Sequence, residues 1–548
     1  MKFFKLLFKI NKSLFIFLAS SSTLFSQNTV GTISYSATTQ SGYTLFTSYK
    51  DTYLINNCGE VVNKWTSDYS PGNSVYLLPT GEILRAGNTQ SETFQFGGSG
   101  GVIERFNWDG TLNWQFFYDN EEHRQHHDIY PMPNGNVLIL AATEITRDEA
   151  IAAGRNPALI DEDQIYNERI IEVQPSGLNR GTIVWEWNFF DHLIQDFDST
   201  KNNFGNVSLH PERLDFNYTQ NNSGSARWLH INSLQYDENL DQVVLSSRFL
   251  NEIYIIDHST STSEAATSTG GDYSKGGDFL YRWGNPQVYR QGTEADRQLG
   301  GQHYAHFIEQ GLRDAGKLML YNNQYPEKPA NSAIFILDLP ESSPGNYSYT
   351  ANTEFGPTSP DYIYAPDDLY SPIVSSAQRL ENGNTLIAEG SYGELREIDE
   401  NENIVWQYIV PENYTNGNII SQGYDPSLIN NMIFRALKYS ETYPAFQGRD
   451  LTPSDPIELN PNISSCVTLS TESSELAGIS IFPNPTDGLL NINSFQKIDE
   501  ISITDLTGKT INISTDLKSL DISNLQAGIY LLQLQIGGNT VIKKIIKR

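Results

Sequence analysis

Short apolar runs recur between residues 45 and 440, and each ends in a turn of Gly, Asn, Asp or Pro. In the first copy an apolar run at residues 53–55 leads to Gly59, a second run ends at Trp65, and a hairpin turns at residues 79–81. Apolar runs of this length between turn residues are typical of β-strands joined by hairpins. The pattern therefore predicts an all-β protein built from repeats.

The same unit returns along the chain, which gives six copies of about four short strands each. The later copies carry apolar strands at residues 102–106, 170–173, 253–257, 334–338 and 395–399. Six such copies predict a six-bladed β-propeller. Longer segments between strands are rich in turn residues and are expected to form loops or small excursions on one face; they are residues 141–168, 190–226, 259–280 and 339–369. A pair of β-sandwiches is the alternative, which the recurring unit of Trp, turn and hairpin disfavours.

The pattern changes at both ends of the chain. Residues 1–26 contain lysines, then a short apolar run, then small residues, which predicts a signal peptide. A membrane anchor is disfavoured, because the apolar run is too short to span about 30 Å of bilayer. Residues 27–463 are expected to form the propeller, and the Ser/Thr/Glu-rich residues 464–477 a linker. Residues 478–548 predict a separate small C-terminal β-sandwich. Since no later run reaches about 20 apolar residues, no transmembrane segment is expected in the mature chain.

The net charge of the chain narrows the classes of partner that it can bind. The formal net charge is −29, from 36 Lys and Arg against 65 Asp and Glu. Such a field argues against non-specific binding to nucleic acid or anionic membranes, and an anionic substrate would need local positive charge.

Cys58 and Cys466 are the two cysteines. Free core thiols and a single disulfide both remain open for an exported chain.

Three histidines occupy the same point of three successive copies: His127, His230 and His303. Each lies at or before the strand that leads into the hairpin, which we interpret as the innermost strand of a blade, lining the central channel. We therefore expect the three imidazoles to converge at one end of the channel. For any one of them a structural role would be the simpler interpretation, but the shared position favours a site. The neighbouring His126 and His306 are expected to point elsewhere, because side chains alternate along a strand.

Arg248 adds a cation to this group. It ends the strand of residues 243–247, which is expected to pair back on the strand that begins at His230. An arginine among imidazoles suits an oxyanion, although a surface ion pair is the alternative for Arg248. Three histidines also fit zinc or copper, but the arginine would repel a cation, so no metal is expected. The sequence has no HExxH, CxxC, GxSxG or phosphate-binding Gly loop, and no cofactor is expected.

Several stretches resemble the bacterial arylsulfate sulfotransferases, which use no nucleotide sulfate donor. The stretches are His127-Asp128 with Pro133-Asn134-Gly135, Trp228 to Ser233, Ser246-Ser247-Arg248, Gln302 to Ala305, Tyr370 to Ile373, and Arg435-Ala436-Leu437. The resemblance spans roughly residues 45–440. It implies a six-bladed propeller that moves a sulfuryl group from an aryl sulfate donor to a phenolic acceptor by a ping-pong mechanism.

The same resemblance implies roles for the four candidate residues. His303 would be the nucleophile and would be transiently sulfated, while His127, His230 and Arg248 would surround the transferring group. The chain departs from well-known members in lacking an evident N-terminal β-domain and in its long insertions. These departures leave the acceptor and the oligomeric state open.

The C-terminal module resembles the type A sorting domain of the type IX secretion system of Bacteroidetes. Its three motifs lie at residues 479–488, 503–509 and 525–530. The resemblance implies recognition by the type IX secretion machinery, export across the outer membrane, and a secreted or cell-surface location. An ordinary carbohydrate-binding or immunoglobulin-like domain is the alternative.

Two other functions remain open at this point. One is a different enzyme: an aryl sulfatase, which would release phenol without an acceptor, or a metal-dependent propeller lyase or hydrolase, which a chelator would inactivate. The other is a non-catalytic surface propeller that binds glycans or protein. Such a protein would keep its binding after loss of the three histidines.

Overall fold

A computed structural model describes residues 28–91, 97–220, 223–463, 480–493, 497–498, 500–505, 509–511, 519–536 and 539–548. The chain divides between Asn462 and Ile463 into two compact units. The predicted signal peptide, the predicted linker and Cys466 lie outside the described residues, so the cleavage site and the disulfide stay predictions.

The first unit consists almost entirely of strands. Its first half contains β1 (Gly31–Tyr35), β2 (Gly42–Ser48), β3 (Asp51–Ile55), β4 (Val61–Thr66), β5 (Ser70–Leu77), β6 (Ile83–Asn88), β7 (Gly101–Phe106), β8 (Leu112–Phe117), β9 (His123–Pro131), β10 (Val137–Thr146), β11 (Gln164–Ser176), β12 (Arg180–Asn188), β13 (Leu193–Ile194) and β14 (Leu214–Asp215). Its second half contains β15 (Ile231–Asp237), β16 (Gln242–Ser247), β17 (Glu252–Asp257), β18 (Tyr281–Trp283), β19 (His303–Phe307), β20 (Leu318–Asn322), β21 (Ala333–Leu337), β22 (Glu341–Ser343), β23 (Asn346–Tyr347), β24 (Tyr362–Tyr364), β25 (Ser376–Arg379), β26 (Thr385–Glu389), β27 (Glu394–Ile398), β28 (Ile404–Ile409) and β29 (Ala436–Ser440). Two short helices, α1 (Arg147–Ala152) and α2 (Thr262–Ala265), lie between strands.

Six antiparallel sheets of four or five strands account for most of this unit in the described residues. Their strand orders are β29-β2-β3-β4, β5-β6-β7-β8, β9-β10-β11-β12, β15-β16-β17-β18, β19-β20-β21-β24 and β25-β26-β27-β28-β1. Each sheet contacts the next through its inner strands, and β25 of the sixth sheet contacts β29 of the first. The all-β, propeller-like fold is therefore confirmed. The blade number of six stays a prediction, with which these six sheets agree.

Buried tryptophans on the fourth strands tie neighbouring sheets together. Trp65 of β4 donates its indole N–H to the backbone carbonyl of Asn107 at 2.9 Å, in the β7–β8 turn of the next sheet. Trp406 of β28 donates in the same way to Asn57 at 2.8 Å, which joins the sixth sheet to the first. A buried indole needs such an acceptor. Trp65 and Trp406 meet this requirement, whereas β24, the fourth strand of the fifth sheet, has no Trp.

The four predicted insertions each carry a small element. They contain, in order, α1, the β13–β14 pair, α2 and the β22–β23 pair. β10 and β11 also extend into the first insertion and pair along its length, from Ala141 opposite Arg169 to Thr146 opposite Gln164. Three of these insertions thus lie between strands of one sheet, and only the β13–β14 pair lies between two sheets; the fourth insertion, expected to be a loop or small excursion, also contains β24, the last strand of the fifth sheet.

The second unit is a small β-sandwich, as predicted. Its strands are β30 (Ser480–Phe482), β31 (Leu489–Asn493), β32 (Glu500–Asp505), β33 (Thr510–Ile511), β34 (Ser519–Asp521), β35 (Gly528–Ile536) and β36 (Asn539–Lys547). One sheet has the order β30-β31-β34 and the other β33-β32-β35-β36. Leu490 and Leu520 of the first sheet pack with Ile503, Leu532 and Ile545 of the second in one buried core. Across the described parts of both units, no helix combines the length and apolar character that a membrane crossing requires.

Candidate active site

The three predicted histidines lie on the inner strands of three consecutive sheets. His127 lies within β9, His230 immediately precedes β15, and His303 is the first residue of β19. β9 contacts β15, and β15 contacts β19. All three side chains are buried, with exposed fractions of 5%, 9% and 3% in the same order.

The backbone is left-handed at two of these histidines and next to the third. His127 and His230 have φ angles of 49° and 52°, and Tyr304, next to His303, has a φ of 51°. At each of the three places the inner strand loses register with its partner strand. A β-bulge re-aims side chains in this way, and a left-handed non-glycine residue costs about 1–3 kcal/mol. Left-handed residues at or next to all three histidines indicate a site where backbone strain is tolerated for side-chain placement.

The structure brings the four predicted residues together. The rings of His127 and His230 are 4.7 Å apart between centroids. The backbone N–H of Arg248 donates to the carbonyl of His230 at 3.0 Å, as expected from the pairing of β16 with β15. The charge of Arg248 lowers the pKa of His127, of His230 and of His303, so Arg248 lies close enough to act on each of them.

Burial keeps the imidazoles neutral. It lowers the pKa of His303 to about 3, against the opposing effect of a hydrogen bond with Asn323, and the charge of Arg248 acts in the same direction as burial. Burial also lowers the pKa of His127 and His230 well below the usual value. Removing a charged imidazole from water is unfavourable, so all three rings are uncharged near pH 7.

Arg248 is a site charge without a counter-charge in the described part of the chain. Its side chain is half-buried and lies 5.4 Å from the ring centre of Phe249. Burial lowers the pKa of Arg248, and within the described residues no carboxylate pairs with it. A desolvated guanidinium without a counter-charge favours an anion, and its planar donors match the oxygens of a sulfate or phosphate group. The alternative interpretation of Arg248 as a surface ion pair therefore finds no partner in the described residues.

A family model described as arylsulfotransferase matches residues 29–421, more than half of the chain. The chain belongs to the arylsulfotransferase family. This membership supports arylsulfotransferase activity in general. The second unit matches the secretion-system C-terminal sorting domain over residues 480–548, which indicates export to a cell-surface or secreted location through the type IX secretion machinery.

Similarity to individual proteins is weak. No curated protein matches this arylsulfotransferase sequence. A protein of unknown function from Bacteroides caccae is 12% identical, with 73% of this chain and 98% of that one covered and a TM-score of 0.38. A periplasmic gluconolactonase from Pseudomonas aeruginosa is 10% identical, with 72% and 97% covered and a TM-score of 0.34. At such TM-scores neither match adds to the functional argument.

Two glycines cover the imidazoles of this arylsulfotransferase, and sequence reasoning missed them. A Cβ on Gly97 would lie 2.8 Å from Cε1 of His230, and a Cβ on Gly98 would overlap the ring of His127. Gly98 also has a φ of 70°, and its carbonyl accepts the backbone N–H of His127 at 2.8 Å. Only a residue without a side chain permits this approach. The spacing of Gly97 and Gly98 from the histidine motifs gives no sequence signal for it.

A buried polar network lies next to the site. Arg435 forms an ion pair with Asp128 at 2.7 Å, donates to the hydroxyl of Tyr76 at 2.7 Å, and lies 3.9 Å from the ring centre of Tyr304. The charge of Arg435 also lowers the pKa of His303. This network joins inner strands of different sheets.

His126 departs from its expected orientation. Its Nδ1 lies 2.9 Å from Nδ1 of His127, and its Nε2 is 3.5 Å from the carboxylate of Glu168. The expectation that His126 points away from His127 was wrong, because the bulge in β9 interrupts the alternation of side chains.

Among the described residues no group of three or more His, Cys, Asp or Glu side chains is arranged to hold a metal ion.

Proposed function

We propose that this protein transfers a sulfuryl group from an aryl sulfate to a phenolic acceptor through a sulfohistidine at His303. The observation that carries the proposal is the guanidinium of Arg248, half-buried and without a carboxylate partner in the described residues, beside three buried neutral imidazoles. This arrangement offers a positive charge for an anionic group and an uncharged nucleophile next to it.

In the first step the neutral imidazole of His303 attacks the sulfur of the donor. A nitrogen–sulfur bond forms, the bond between sulfur and the aryl oxygen breaks, and the phenolate leaves with the electron pair. Arg248 and the imidazoles of His127 and His230 hold the sulfuryl oxygens while negative charge moves to the departing oxygen. The phenolate takes up a proton from solvent and diffuses away as phenol.

In the second step an acceptor phenol enters the same site. Its oxygen attacks the sulfur, the nitrogen–sulfur bond breaks, and His303 recovers its electron pair. The hydroxyl proton of the acceptor passes to His127 or His230, each of which is neutral and can take it. Because one site serves both half-reactions, donor and acceptor are both expected to be aromatic.

We also propose the division of the chain that the sequence suggested. A signal peptide of residues 1–26 is followed by a catalytic domain of residues 27–463, a linker of residues 464–477, and a sorting domain of residues 478–548. The match of the second unit to the sorting-domain family supports this order. The enzyme would then meet its aryl sulfates outside the outer membrane.

The test measures nitrophenol release from 4-nitrophenyl sulfate, with and without added phenol, in the presence of a chelator. Release that depends on phenol and resists the chelator supports sulfuryl transfer; release that ignores phenol indicates a sulfatase, and chelator sensitivity indicates a metal enzyme. His303→Ala is expected to abolish release. His210→Ala is the matched control, since His210 is paired with Glu212 on the surface. An active His303→Ala enzyme would exclude the assigned nucleophile.

A further inference from the structure

His303 is held in place by the side chain of Asn323. Nδ1 of His303 lies 2.7 Å from Oδ1 of Asn323. His303 begins β19 and pairs with Tyr321 near the end of β20, and Asn323 directly follows β20. The two residues therefore meet at the same end of one strand pair. Asn323 belongs to none of the motifs that point to the site.

The hydrogen bonds of Asn323 fix the orientation of its amide. Nδ2 donates to the carbonyl of Ser371 at 2.8 Å and to the carbonyl of Val374 at 2.9 Å. Both amide hydrogens are thereby used, and exchanging the nitrogen with the oxygen would place Oδ1 against two carbonyl oxygens. Oδ1 is thus an acceptor, and Nδ1 of His303 must be the donor.

The segment that holds Asn323 is itself strained. Val374 and Ser375 have φ angles of 52° and 93°, and a β-branched residue such as valine rarely adopts this conformation. The hydroxyl of Ser375 donates to that of Ser371 at 2.8 Å, and the backbone N–H of Gly390 donates to Ser375 Oγ at 3.0 Å. These bonds hold the turned backbone whose carbonyls accept from Asn323.

We propose that Asn323 is a positioning residue that keeps His303 protonated on Nδ1, so that Nε2 carries the lone pair that attacks sulfur. This inference rests on the proposed sulfuryl transfer. A neutral imidazole carries one proton, and fixing it on Nδ1 leaves Nε2 unprotonated. When Nε2 becomes sulfated the ring gains positive charge, and the same Nδ1–H···Oδ1 contact stabilises it.

The kinetic test uses two variants and a control. Asn323→Ala is expected to slow single-turnover nitrophenol release about 100-fold, with KM for 4-nitrophenyl sulfate changed less than about threefold, because the residue orients the nucleophile and does not touch the donor. Asn323→Asp keeps an acceptor for Nδ1–H, so part of the rate is expected to return. Its carboxylate favours a charged imidazole, so the acid limb of the rate profile moves to higher pH.

Asn331→Asp is the matched control. It makes the same substitution just before β21 of the same sheet, where the side chain donates to Pro366 at 3.1 Å and does not contact His303. We expect the wild-type rate and pH profile. A rate for Asn323→Ala within threefold of wild type, or a pH profile of Asn323→Asp that matches this control, would overturn the inference.

A spectroscopic readout makes the inference independent of turnover. In ¹⁵N-histidine-labelled protein, the signals of His303 are identified by their loss in His303→Ala, and their shifts report which nitrogen carries the proton. We expect Nδ1 protonation in the wild type and a shift toward Nε2 protonation in Asn323→Ala. Nε2 protonation in the wild type would refute the role of Asn323, whether or not the variants fold. Absence of nitrophenol release by the wild type would instead refute the proposed function.

Discussion

Arg248→Met tests whether the unpaired arginine serves the reaction at the expense of stability. Methionine keeps an unbranched apolar stem against Phe249 and removes the guanidinium, which burial already disfavours. If the arginine is present to bind the sulfuryl group, the variant should lose activity without losing stability.

The two expected effects have different sizes and opposite signs. A charged donor aimed at oxygens that gain charge in the transition state contributes about 3–4 kcal/mol, so kcat should fall about 10²–10³-fold. A desolvated guanidinium without a counter-charge opposes folding, because no ion pair with a carboxylate in the described residues offsets the free energy of its lost hydration. The free energy of unfolding of Arg248→Met is therefore expected to stay the same or to rise by about 1 kcal/mol.

The assay pairs turnover with thermal unfolding. Nitrophenol release is measured with phenol in excess, and Tm is measured with and without inorganic sulfate. Sulfate should raise the Tm of the wild type by mass action and leave that of Arg248→Met unchanged. Arg180→Met, at an exposed position of β12, controls for loss of one surface charge. Activity within threefold of wild type, or a Tm several degrees lower, would refute the reasoning.

Three further predictions concern the surroundings of the site. The donor half-reaction should keep its rate as the pH falls, until the pH approaches about 3 and the buried His303 becomes charged. A base-quenched single-turnover assay whose rate has its midpoint near pH 6 would contradict this. Gly98→Ala should lower both kcat and Tm, because its new Cβ meets a site imidazole, whereas Gly135→Ala, also at positive φ but in open space, should lower Tm alone. Asp128→Asn should cost about 3–5 kcal/mol of stability by leaving Arg435 buried without its partner, and a loss under about 1 kcal/mol in denaturant unfolding would disprove that estimate.

The apolar pattern was sufficient to predict strands and their repeat, but not where each sheet begins. The repeat read from residues 53–55 starts in β3, which is the third strand of the first sheet. A cyclic repeat of four strands looks the same from any starting point. The starting point is set by the pairing of β2 with β29, from Gly42 opposite Ser440, and no local pattern reports a contact so distant in sequence.

The grouping of His127, His230 and His303 could be anticipated because equivalent positions in a repeat occupy equivalent places in space. The backbone that aims them could not. A left-handed non-glycine residue is held by its tertiary surroundings and leaves no mark in the sequence. For the same reason the alternation rule failed at His126, and Asn323, which is an ordinary residue at a strand end, gave no signal.

The pairing of β29 with β2 also determines when the first unit can complete its folding. Synthesis proceeds from the N-terminus, so β2 waits for almost the whole unit to be made before its partner exists, and β1 waits nearly as long for β28. Closing loops of this length is entropically costly, and folding dominated by such contacts is slow. Until Ser440 has been made, β2 presents an open sheet edge on which other chains can add strands. A chain truncated before Ala436 would keep that edge permanently, so aggregation is its expected fate.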